Sequence, residues 1–239
     1  MLELMENFAP GVLSGFTTRE GGVSEAPYAS FNLGDHVGDA PQAVSDNRAL
    51  LEQSLGCKVR YMRQVHGSTV VTVGAHDEGV PQADAQITTC PDLALAVLTA
   101  DCLPLLMCSG NQAVAAVHCG WRSLRGGIVN NALAVLRALS AAPIKACLGP
   151  CIGPQSFVVG PEIREAFAAQ DSALTRFFQA GRGDRLLCDL RGICRYQLER
   201  GGVSDIIQSE ADTFSEPNLY YSYRREGVTG RLAGVIALR

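Results

Sequence analysis

Histidine is scarce in this chain, with only His36, His66, His76 and His118 among 239 residues. Four imidazoles are too few for a blue-copper site together with a trinuclear oxygen-reducing cluster, so a full multicopper oxidase is excluded. Positive charge is not in excess either. Lys and Arg number 20 against 24 Asp and Glu, a net charge of −4, and the scattered arginines leave no electrostatic footprint for nucleic acid. Long apolar runs are missing too: the longest, Leu93–Met107, is broken by Asp101 and Pro104 and is too short to span a bilayer. The start, MLELMENFAPG, carries acidic Glu3 and Glu6 and no basic stretch, so it does not read as a secretory signal. The nine cysteines are an odd count for a disulfide framework, and none form a C-x-x-C pair of the kind that builds structural thiolate zinc sites. Most are expected to be small buried hydrophobes. What remains is a globular composition, 47% hydrophobic and 18% charged, with no repeat, low-complexity tract or linker. It predicts one cytoplasmic domain over residues 1–239 with a small-molecule partner, no nucleic acid and no membrane.

The stretch Leu93–Leu139 organises the reading. Its apolar runs, broken by SGN at 109–111, predict two buried strands, and a helix follows with Ile128, Val129, Ala132, Leu133, Leu136 and Leu139 on one stripe. Asp101 and Cys102 interrupt the first run and His118 closes the second, where plain packing would prefer Val or Ala. Residues 11–48 predict a strand near Val12–Thr17 and then an ordered Gly-rich loop whose Arg19, like Arg48 beyond it, is in reach of an anion. A helix is predicted from Pro41 to the stop at Gly56. KVRYMRQVHGSTVVTV predicts two strands around a turn-like HGS, which puts His66 at a strand end. Asp84, Gln86 and Thr88 share one face, unusually polar for a segment entering a core. PEIREAFAAQDSALTRFF and DLRGICRYQLERGG predict two amphipathic helices, and NLYYSYRREGVTGRLAGVIAL an aromatic strand, a turn and a final apolar strand. The sum is an α/β fold, a mixed sheet with helices packed outside.

His66, Cys102 and His118 are separated by 36 and 16 residues, and no local spacing rule joins them. Spacing alone equally permits a thiol hydrolase with Cys102 as nucleophile and His118 as base.

Five strings decide the matter: RQVHG at 63–67, TADCLPLL at 99–106, HCGWRSL at 118–124, GPCIGP at 149–154 and YSYRREGVTGR at 221–231. With REGGVS at 19–24 and VGDAP at 37–41 they closely resemble the YfiH-like family, labelled polyphenol oxidase or laccase-domain, whose members act as purine nucleoside phosphorylases with adenosine deaminase activity. The resemblance implies a deamidase-toxin-like fold and a zinc ion on His66, Cys102 and His118, with copper as an in vitro substitute capable of oxidase side activity. Three protein ligands leave a fourth zinc position open, as catalytic sites do. The resemblance further implies adenosine, inosine, guanosine or methylthioadenosine together with phosphate as substrates. Asp101 and Asp84 are then candidates for proton transfer, and Arg48, Gln64, Arg122, Arg224 and Arg225 for substrate binding. Two departures stand out. HCGWRSL replaces the usual HAGWRGL, and Asp212-Thr213 occupies a place where the family commonly has Cys-Thr.

Overall fold

The computed structural model describes residues 1–5 and 8–239, so Glu6 of the acidic start lies outside the described residues. In chain order come β1 (Leu2–Leu4), β2 (Val12–Thr17), α1 (Pro41–Leu55), β3 (Lys58–Arg60), β4 (Val70–Thr72), β5 (Ala85–Thr88), β6 (Leu93–Thr99), β7 (Leu103–Ser109) and β8 (Ala113–Cys119). After them follow α2 (Trp121–Arg125), α3 (Ile128–Leu139), β9 (Ile144–Leu148), β10 (Val158–Val159), α4 (Pro161–Ala168), β11 (Phe178–Ala180) and β12 (Leu186–Cys188). The remainder is α5 (Leu190–Arg200), β13 (Asp205–Gln208), α6 (Tyr223–Glu226) and β14 (Leu232–Leu238). Among the described residues no helix is long and apolar enough to cross a membrane.

The expected mixed α/β fold is present, but its strands form two large sheets rather than one. The first has the order β1-β2-β14-β6-β3, the second β13-β9-β7-β8-β5-β4, and a small third sheet has the order β10-β12-β11. Alternation along each strand sorts the core into layers. Leu95 and Val97 of β6 point between the large sheets, where they meet Leu106, Val114, Ala116 and Ile236. Ala94, Ala96 and Leu98 point the other way, onto Leu51 and Leu55 of α1. From the second sheet Leu105, Met107 and Val117 face outward onto Leu133 and Leu136 of α3 and Ile193 and Leu198 of α5. The layers therefore run α1, first sheet, second sheet, α3 with α5. With both faces covered, β6, β7 and β8 are buried along their whole length, which is why they read as apolar runs instead of alternating ones. Each Leu or Val so buried contributes about 1.5–3 kcal/mol relative to exposure.

Helix α1 starts on Pro41, whose missing N–H costs nothing in the first turn, and stops at Gly56 with φ 68. The Gly-rich loop before it is ordered by one buried amide. Asn47 of α1 accepts from Val23 N–H and donates to Ser24 Oγ, Ser30 O and Asn32 O. On α3 the predicted stripe is buried, except that Leu139 is 40% exposed at the frayed end.

Four local expectations are corrected. Leu93–Met107 is not one strand: at Asp101, φ 96, the chain turns, and β7 continues in the other sheet. The two strands around HGS are present but short, and His66 is not at a strand end: β3 pairs β6 in the first sheet, β4 pairs β5 in the second, and His66 lies in the long connection that this change of sheet requires. The helix predicted over 161–178 ends at Ala168 and is followed by a 3-10 turn, Ser172–Phe177, because Asp171 caps a new start by accepting from Ala173 N–H. The aromatic segment before α6 is not a strand; Tyr221 is buried and donates its hydroxyl to Tyr28 O.

Candidate metal centre and active site

Residues 61–69 and 100–102 are both crossovers from the first sheet to the second, and His66 and Cys102 ride on them. The third group, His118, lies on β8 and shares the inter-sheet face with Val114 and Ala116, so it closes the layer between the sheets where the crossovers arrive.

One carboxylate fixes this corner. Asp84, fully buried just before β5, accepts from His118 Nδ1 at 2.8 Å and from His66 N–H at 2.9 Å with one oxygen. Its other oxygen accepts from Gly67 N–H at 2.7 Å and Val65 N–H at 3.2 Å. Burial works against the charge of Asp84, but the His118 contact and the backbone donors outweigh it and hold the carboxyl below its ordinary range. With Nδ1–H given to Asp84, His118 keeps the lone pair of Nε2 for another partner, the usual carboxylate support of a ligating histidine. The same carboxylate holds the 65–67 backbone, including His66 at φ 59, a left-handed conformation unusual outside glycine.

The Cys102 sulfur lies 3.9 Å from His66 Nε2, and the ligand atoms of His66, Cys102 and His118 all fall within 4.8 Å of one another. The two imidazoles meet edge to face at 4.7 Å. A Cβ on Gly120 would stand 3.1 Å from Cys102 Sγ and from His66 Cδ2, so only glycine lets the end of β8 lie against the donors. Packing disfavours the Cys102 thiolate, yet His118 and His66 beside it bring the thiol down to about 6. The same pairing, with Asp84 behind, overcomes burial and lifts His118 to about 9. Among the described residues no fourth ligand joins this thiolate and two imidazoles, a donor set whose chemistry fits an open, catalytic zinc site better than a closed structural one and also suits a single copper ion.

The cluster opens on a cavity of about 880 Å³. Arg48, Gln64, Tyr61, Val65, Leu98, Tyr223 and Arg231 are among its walls. Gln64 is engaged at both amide atoms: it donates to Leu98 O and accepts from Leu98 N–H, both at 2.8 Å, which pins the His66 crossover to β6. Arg48 stacks on Tyr61 at 4.0 Å, donates to Leu33 O at 3.0 Å and pairs with Asp35 at 3.3 Å. Arg225 is bound by the carbonyls of Thr213, Phe214 and Tyr220 and by Glu226, and Arg19 also pairs with Glu226. Arg122 stacks on Trp121 and Arg224 donates to Val158 O beside a second, smaller cavity. Asp101 is turned from the donors' cavity and accepts from Thr213 Oγ1 and Arg224 N–H, both at 2.7 Å. Asp212, at the family's cysteine position, accepts from Gly153 N–H, Ser156 Oγ and Phe214 N–H, and so ties its own turn to the 153–156 loop. The structure thus gathers the three metal-ligand candidates, Asp84 and Arg48 at one site and draws Asp101, Arg122, Arg224 and Arg225 away from it. Tyr61, Tyr223 and Arg231 were not singled out by sequence reasoning, although Arg231 closes the last of the five strings.

A family model described as multi-copper polyphenol oxidoreductase laccase matches residues 13–239. A purine nucleoside phosphorylase of Pseudomonas aeruginosa is 42% identical over 226 residues, covering 93% of this chain and 92% of its own length. Purine nucleoside phosphorylase YfiH of Escherichia coli strain K12 is 41% identical over 232 residues, covering 95% and 94%. Among solved structures, a Neisseria meningitidis protein superposes with a TM-score of 0.94 at 39% identity, covering 99% of this chain and 98% of that one. YlmD from Geobacillus stearothermophilus does so with a TM-score of 0.91 at 30% identity, covering 97% and 93%.

Proposed function

The chain belongs to the multi-copper polyphenol oxidoreductase laccase family, the YfiH family of its relatives, and from that premise we propose that it is a cytoplasmic, zinc-dependent purine nucleoside phosphorylase with adenosine deaminase activity. The observation that carries the reading is the meeting of His66, Cys102 and His118, donor atoms within 4.8 Å, at the wall of a cavity of about 880 Å³. A cavity of that size is ample for a nucleoside and a phosphate. The multi-copper oxidase chemistry of the family description has little to build on here, since the chain holds four histidines and only two of them join the cluster, which leaves copper at most a substitute in the one three-donor site.

In phosphorolysis an oxygen of phosphate bonds to ribose C1′ as the bond from C1′ to purine N9 breaks. The electron pair leaves on N9, which takes a proton, and the products are ribose 1-phosphate and the free purine. Met62, Val65, Val80 and Leu98 supply an apolar wall for the base, and the Tyr61 ring, backed by Arg48, a flat one. Zinc, when bound to the three donors, supplies Lewis acidity and an open coordination position. Asp84 serves this reading by orienting both histidines, not by exchanging protons, because all four of its donors are already in place. Adenosine, inosine, guanosine and methylthioadenosine are the substrates to compare. Metal analysis of the purified protein followed by adenosine turnover tests the proposal. Ribose 1-phosphate should form only with phosphate, and inosine and ammonia should form from adenosine and water in its absence. Metal-replete protein that leaves adenosine untouched in both assays would sink it.

One observation favours a second reading. A thiol brought to about 6 beside an imidazole lifted to about 9 is also the state of a cysteine nucleophile paired with its base. A thiol hydrolase survives chelation and is killed by alkylation, whereas the zinc enzyme loses activity to chelation and regains it with zinc.

A further inference from the structure

Three arginines line the main cavity. Arg63 is exposed, and no described group fixes its side chain in one place; the more buried Arg48 and Arg231 differ in what they already hold. Arg48 covers the face of Tyr61 and is paired with Asp35 at 3.3 Å. Arg231 makes no ion pair among the described residues. Its position is nonetheless built with care. Its backbone N–H donates to Asn32 Oδ1 at 2.8 Å, and its stem passes Gly34 so closely that a Cβ there would come 2.7 Å from its Cγ. Its Nη1 donates to Thr229 O and Gly230 O, both at 3.0 Å, while its Nε and Nη2 donate to no described group. The guanidinium lies 5.9 Å from the Tyr223 ring, which bounds the same cavity.

A half-buried cation fixed by one nitrogen, with two adjacent N–H edges unused, matches the geometry of a tetrahedral oxyanion, which a guanidinium binds through parallel charge-assisted hydrogen bonds. In the partly enclosed cavity that attraction exceeds its value in open water, and the arginine is already in place before the anion arrives. We infer that Arg231 seats the inorganic phosphate of the phosphorolysis proposed above, across the cavity that it shares with His66, Cys102 and His118. The inference rests on that reading and adds to it the group that holds the second substrate. Arg48, its charge already matched by Asp35, lines the nucleoside side.

The test uses the metal-replete protein and its Arg231→Gln and Arg231→Lys variants, with metal content and melting temperature recorded for each. Adenosine phosphorolysis is measured over a range of inorganic phosphate. Loss of two charge-assisted hydrogen bonds should raise the KM for phosphate by roughly 10- to 100-fold in R231Q, with a smaller rise in R231K and a much smaller change in the KM for adenosine. Calorimetric titration of inorganic phosphate into the wild-type protein and the variants runs in parallel. If wild-type protein forms no ribose 1-phosphate, the phosphorylase reading fails alone, and weakened phosphate binding in the variants still supports the anion seat. Should R231Q fail to fold, R231K carries the comparison. An unchanged KM for phosphate in the folded variants overturns the inference, as does phosphate binding in calorimetry that is indifferent to Arg231. So does tight binding of adenosine 5′-phosphate through Arg231 with no binding of inorganic phosphate.

Discussion

Asp84 and Asp101 are both buried neighbours of a donor, Asp84 of His66 and His118 in space and Asp101 of Cys102 in sequence, yet they tie down different things. Asp84 takes four donors from the ligand-bearing pieces themselves, the His118 ring and the backbone of 65–67. Asp101 takes two, and both come from far along the chain: the Thr213 hydroxyl and the first turn of α6 at Arg224. One aspartate sets the ligands. The other fastens the Cys102 turn to the segment carrying Tyr223, and so joins the corner of His66, Cys102 and His118 to the far wall of its cavity. Adjacency to a ligand in sequence therefore says little about which group a carboxylate serves; the donors that it accepts from decide.

The sharpest way to break this contrast is Asp84→Asn. An amide cannot accept from all four donors, and the substitution should cost about 3 kcal/mol in urea unfolding and lower metal affinity roughly 10- to 100-fold. Metal content unchanged after dialysis would erase the distinction. Asp101→Asn comes next, at about 2 kcal/mol for two compromised hydrogen bonds. It should keep its metal while its KM for nucleoside rises, because the wall shifts and the donors do not; loss of metal equal to that of D84N would merge the two roles. Acid titration sharpens the picture further. The Asp84 carboxyl is held low, so the stability that it contributes is present above its unfolded pKa of about 3.9 and is lost as pH falls through the lower folded value. In that window the wild type loses at most about 1.4 kcal/mol per pH unit through this group, and D84N should show a flatter acid limb in pH-dependent melts. The smallest effect is expected of Thr213→Val, about 1 kcal/mol by chemical denaturation, with metal content intact.

Much of the layering was legible. Runs that were apolar throughout marked strands covered on both faces, and the α3 stripe from Ile128 to Leu136 marked the helix that covers the second sheet. The sheet to which each strand belongs was not legible, because periodicity reports which face of a strand is buried and not which sheet the strand joins. At 99–106 Asp101 and Pro104 do break the apolar run, but a polar residue inside such a run signals a site as readily as a corner, so the interruption did not by itself announce a turn with positive φ into the other sheet. His66, Cys102 and His118 could be found from the strings around them but not from their spacing, for the same reason: crossovers bring them together, not a helix face or a hairpin. Gln64 was expected at the substrate and is bound to Leu98 through both amide atoms, and Arg231 was not singled out at all, since a lone arginine beside a turn carries no signal of a cavity.

Because His66 and Cys102 arrive on crossovers between the sheets and His118 on β8 of the second sheet, the two sheets must dock before all three can meet. A partly folded form with each sheet intact but undocked would keep its secondary structure and have no place for a metal. On the proposed metal-binding reading, ion uptake during refolding is a clock for the docking step, and a divalent ion in the medium should favour the docked form over every state that lacks the assembled corner.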